Sequence, residues 1–70
     1  MDLEIKRIKR GGQKEIWIEV WHKNGDSLTD NEGDAIMQWT MQNQLGVRMS
    51  FHMWKFKSEA DLTAFVLKWC

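Results

Sequence analysis

Proline is absent from the 70 residues, and cysteine occurs once, as Cys70. With no proline, no repeat and no low-complexity stretch, nothing marks a linker, and the chain reads as one domain over residues 1–70. A single thiol excludes an intramolecular disulfide and fits a reducing, cytoplasmic setting, although Cys70 could still join two chains under oxidation. No apolar run approaches the ~20 residues of a membrane span. The charged start Met1, Asp2, Leu3, Glu4 does not have the character of a signal peptide, so a soluble protein is expected. Charge of one sign is also lacking: ten basic and ten acidic residues balance, which argues against a generic polyanion binder. A chain this short buries only about 60% of the surface its unfolded form exposes. Its core is therefore marginal, and oligomerisation is one way small domains compensate.

Tryptophan is abundant by contrast, and its placement is informative. In residues 15–23 the aliphatic Ile16, Ile18 and Val20 alternate with Trp17, Glu19 and Trp21, giving a strand with one aliphatic face and one aromatic, charged face. Gly11-Gly12 separates this run from an earlier one and has the form of a two-residue hairpin turn. That turn sets Arg10 against Gln13, Ile8 against Glu15, Lys6 against Trp17, Ile5 against Ile18, Glu4 against Glu19 and Leu3 against Val20. Leu3, Ile5, Ile16, Ile18 and Val20 then share the inner face, and Glu4, Lys6, Ile8, Trp17, Glu19 and Trp21 the outer one.

Thr29-Asp30-Asn31-Glu32 has capping-box spacing and predicts a helix running to about residue 43 or 44, with Gly33 weakening its first turn and Gly46 as a C-terminal cap. Val47, Met49, Phe51 and Met53 alternate with Arg48, Ser50, His52 and Trp54, predicting a third strand whose outer face adds a tryptophan. Ser58, followed by Glu59 and Asp61, caps a last helix with an apolar stripe of Leu62, Phe65, Val66 and Trp69. The expected fold is α+β, in the order ββαβα: a three-stranded, mainly antiparallel sheet, strand order 2-1-3, with two helices packed on one face.

No catalytic constellation stands out, because His22 and His52 fall on opposite strand faces and no nucleophile is spaced to meet a base. His22, His52 and Cys70 lack metal-ligand spacing, so neither an enzyme nor a metal or cofactor protein is expected. Glu4 opposite Glu19 reads as two solvated acids neutralised by Lys6 and Arg48, and Met37 and Met41 read as core filling, as do Phe56 and Trp69. The candidate site is the outer sheet face bearing Trp17, Trp21 and Trp54 with Lys6, Arg48 and His52, since large aromatics on a face without helices mark a contact surface. Its leading reading is a homodimer, followed by docking on another protein. The alternative is single-stranded nucleic acid stacking on the tryptophans, with Lys6, Arg7, Lys9, Arg10 and Lys14 holding phosphates.

Residues 53–69, in which the aromatic run Met53-Trp54-Lys55-Phe56 leads into the acidic helix start Ser58-Glu59-Ala60-Asp61 and closes on Leu67-Lys68-Trp69, resemble the C-terminal half of short uncharacterised proteins of marine cyanobacterial phages. The resemblance covers about a quarter of the chain. It implies a phage or marine origin and expression inside a bacterial host, and it carries no catalytic residue.

Overall fold

Period-two alternation in residues 16–22 produces a strand, β2 (Ile16–His22), which pairs antiparallel with β1 (Leu3–Ile8). The computed structural model describes residues 3–8 and 14–70. The Gly11-Gly12 turn and the Arg10–Gln13 pair therefore lie outside the described residues. The register differs from the two-residue-turn expectation by two positions: Lys6 faces Glu19, Glu4 faces Trp21 and Ile8 faces Trp17. A shift by two preserves the faces, because side chains alternate with period two. The expected Glu4–Glu19 carboxylate pair is replaced by the complementary Lys6–Glu19 pair.

Helix α1 (Asp30–Gln42) begins at the expected capping box, with Thr29 accepting from the Glu32 backbone and the Glu32 carboxylate accepting from the Thr29 backbone. The chain leaves the helix through Gln44, at φ 54°, so Gly46 is not the helix cap. Gly46 instead opens the next strand, where a Cβ would lie 2.7 Å from the Lys55 carbonyl and 2.8 Å from the Phe56 ring.

The largest departure from expectation follows. Residues 47–54 do not form one strand. They fold back at Phe51 and His52 into a hairpin of β3 (Gly46–Ser50) and β4 (Met53–Phe56), with a register irregularity between Arg48 and Ser50. The order is thus ββαββα, and the sheet has four strands in the order β1-β2-β4-β3, all neighbours antiparallel, rather than three in the order 2-1-3. Strand β4 pairs with β2, setting Ile18 opposite Trp54 and Ile16 opposite Phe56. Trp54 and Phe56 thereby share the inner face with Ile18 and Val20.

Helix α2 (Glu59–Trp69) starts at Ser58, whose hydroxyl accepts from the Asp61 backbone. Both helices lie on one side of the sheet. Ile36 of α1 and Leu62 and Phe65 of α2 close over Leu3, Ile18, Val20, Trp54 and Phe56, with Leu28 sealing one end. Phe65 meets Phe56 and Trp39 edge to face, and Trp69 packs at a right angle to Trp39. Met41 was expected in this core and lies 61% exposed, because the helix turns it away from the sheet.

Candidate functional site: the uncovered sheet face

Two of the three tryptophans assigned to the outer face are there, and the third is not. Trp17 and Trp21 take the odd parity of β2, away from the helices, and both are half-buried. Trp54 has no exposed surface and sits at the centre of the core. The turn at Phe51 and His52 reverses the parity that an unbroken strand would have given it. Arg48 precedes that turn and changes face through the register irregularity between Arg48 and Ser50: it pairs with Trp54 on the inner face, its guanidinium carbon lying 5.2 Å from the indole centroid.

There Arg48 acts as a clamp. It donates to the Phe51 carbonyl at 2.9 Å and the Ser50 carbonyl at 3.3 Å, and it reaches the Asp34 carboxylate on α1 at 3.5 Å. Gly33 lets α1 come this close, since a Cβ would stand 2.5 Å from the Arg48 guanidinium.

His52 is also partnered. Its ring stacks on Trp21 with centroids 3.7 Å apart and planes 10° from parallel. Nδ1 donates to the Val20 carbonyl at 2.9 Å, and Nε2 lies 2.8 Å from the Ser27 hydroxyl. These bonds tie the β3–β4 turn to the end of β2 and to the loop before α1. His22, on the inner parity, donates from Nε2 to the Glu32 carboxylate at 3.0 Å. The Thr29 backbone N–H and then His22 hold the Glu32 carboxyl below the usual glutamate range. No signal in β2 singled out this link, because the two residues are joined only by the fold.

The uncovered face now has a defined layout. One row across the sheet holds Ile8, Trp17, Lys55 and Val47; the next holds Lys6, Glu19 and Met53; a third pairs Glu4 with Trp21. Among the described residues no element covers this face. Ile8, Trp17, Trp21 and Met53 are half-buried, and Val47 is 52% exposed. Lys55 is tethered to Glu15 at 3.1 Å, so the charges within the face are largely matched.

The described members of the basic set have different surroundings. Lys6 lies on the uncovered face opposite Glu19, and Lys14 is exposed. Arg7 falls on the other parity and forms a two-pronged ion pair with Glu59 at the start of α2, which holds the Glu59 carboxyl below its ordinary value. Lys9 and Arg10 lie outside the described residues. Partial burial raises the pKa of the Cys70 thiol, against an opposing pull from Lys23, which lowers its thiolate fraction.

Among the described residues no group of three or more His, Cys, Asp or Glu is placed to hold a metal ion, and no helix is long and apolar enough to cross a membrane. No family model matches the chain, and neither the curated proteins nor the solved structures give a match.

Proposed function

We propose that this chain is a non-catalytic interaction module working inside a cell, and that it associates through its uncovered sheet face, with a second copy of itself ahead of a different protein. The observation that supports this reading is the face itself. Trp17 and Trp21 stand beside Ile8, Met53 and Val47 on a four-stranded sheet that, among the described residues, is packed by helices on its other side. Apolar side chains gathered on one side of a sheet lose contact with water when a partner arrives, which favours association at roughly 25 cal/mol per Å² of apolar area buried. Their neighbours Lys6, Glu19 and Lys55 are already matched in sign, so burial leaves little uncompensated charge.

Sedimentation equilibrium across the micromolar range tests the reading. A dimer is expected, and Trp17→Ala should weaken it at least tenfold without altering the fold, since Trp17 belongs to the face rather than the core. A wild-type chain that stays monomeric throughout that range removes self-association as the function of this face.

A further inference from the structure

The rows across the sheet restrict how two copies can meet, and this inference rests on the self-association just proposed. A two-fold dimer closed face to face has its axis in the plane between the sheets, and each contact i to j is repeated as j to i. Two families of arrangement follow. If the axis crosses the strands at the middle row, each strand lies over its own copy. Lys6 then faces Lys6 and Glu19 faces Glu19, and like charges meet in the most buried part of the contact. Moved half a row, the same axis sets Ile8 on Lys6, Trp17 on Glu19 and Lys55 on Met53, so each apolar side chain is buried against a charge. If the axis runs along the strands, left and right exchange, and what meets depends on where the axis lies.

Between β1 and β2 such an axis covers only those strands and leaves Met53 and Val47 in water. Between β2 and β4, the centre of the order β1-β2-β4-β3, it covers all four. In that position β2 lies over β4 of the partner and β1 over its β3. Within the rows, Trp17 meets Lys55, Glu19 meets Met53 and Ile8 meets Val47 of the other copy. No like charges oppose one another. The two outlying aliphatic side chains, Ile8 and Val47, cover each other.

We infer that the partner of this face is a second copy set with its strands running in the same direction, β2 over β4, on an axis between those two strands. Four strands about 4.8 Å apart and about 20 Å long give a face of roughly 400 Å² in plan. Counted on both copies this is roughly 800 Å², below the standard interface size and in the range of weak, transient complexes.

Paired cysteine variants in a Cys70→Ser background read the arrangement directly. Ile8→Cys and Val47→Cys are placed in separate chains, mixed and treated with a bismaleimide of about 10 Å reach, because facing sheets stand about 10 Å apart and a direct disulfide needs Cα atoms within about 7 Å. In the proposed arrangement Ile8 lies over Val47 of the other copy, whereas the two Ile8 residues are displaced sideways by three strand spacings, roughly 14 Å. The mixture should yield cross-linked dimer, and each single variant alone should stay at background. Cross-linking of Ile8→Cys to Glu4→Cys would instead show the axis across the strands and overturn the arrangement. A chain that sediments as a dimer and gives no cross-link between Ile8→Cys and Val47→Cys would overturn it too, leaving self-association intact. A monomer by sedimentation is instead the failure of the underlying reading.

Discussion

A glycine inside a strand weakens it unless something nearby needs the room its missing side chain leaves. Gly46 is such a place, because the Lys55 carbonyl and the Phe56 ring would both press on a Cβ, and neither is the free end of a flexible chain. Gly46→Ala should therefore cost about 1–3 kcal/mol, as overpacked sites do, read as a lower denaturant midpoint at unchanged slope. An unchanged midpoint would show that β3 shifts at no cost. Glu32 offers a test of charge. Its folded carboxyl titrates below the usual range because the Thr29 N–H and His22 favour the ionised form. A carboxyl with a depressed folded pKa stabilises the fold above its unfolded value, near ~4.3, and that stability disappears as pH falls through the folded value. Glu32→Gln keeps an oxygen for the cap and removes the charge. The stability difference between wild type and this variant should shrink towards zero as pH falls through and below the ordinary glutamate range. A difference that persists undiminished at pH 2 would show that the ionised form contributes nothing.

At the level of elements, what was legible in the sequence follows from how local the cause is. Both helix starts were readable, since a capping hydroxyl and its target backbone lie three residues apart: Thr29 with Glu32, and Ser58 with Asp61. Ser58→Ala should accordingly cost about 1 kcal/mol. Chemical denaturation measures it, and equal midpoints for the two proteins would place the true start of α2 elsewhere. The β3–β4 hairpin was not legible. Its turn, Phe51 and His52, contains no glycine, asparagine or proline, and its bonds come from a distance: Arg48 to the turn carbonyls, His52 to Val20 and Ser27. An alternating run with a turn of that kind reads as one strand, and every residue after the turn is then given the wrong face. Trp54 is the clearest casualty. On parity alone it joined Trp17 and Trp21 outside, whereas the reversal makes it the largest fully buried side chain of the core.

Topology decides what the whole molecule presents. The extra strand enters between β2 and β3, widening the uncovered face to four strands while withdrawing Trp54 and Arg48 from it. The remaining candidates for stacking are Trp17 and Trp21, and one face of the Trp21 indole is already occupied by His52. Phosphate contacts are reduced in the same way: Arg7 is engaged by Glu59, Lys55 by Glu15, and Glu4 and Glu19 lie within the face itself. With zero net charge there is no long-range attraction to make up the difference. Single-stranded nucleic acid should therefore bind no more tightly than about 10⁻⁶ M at physiological salt, the edge of the ordinary non-specific range. Fluorescence anisotropy with labelled oligonucleotides at several salt concentrations checks this, because each neutralised phosphate releases counterions and steepens the salt dependence. Burial of tryptophan between two copies has no such dependence. Submicromolar binding that falls steeply with salt, and is lost both in Trp17→Ala and in the Lys9→Glu, Arg10→Glu double variant with the fold intact, would reverse the ranking. Base stacking on Trp17, with phosphates held by the basic end of the first hairpin, would then account for the face better than a second copy does.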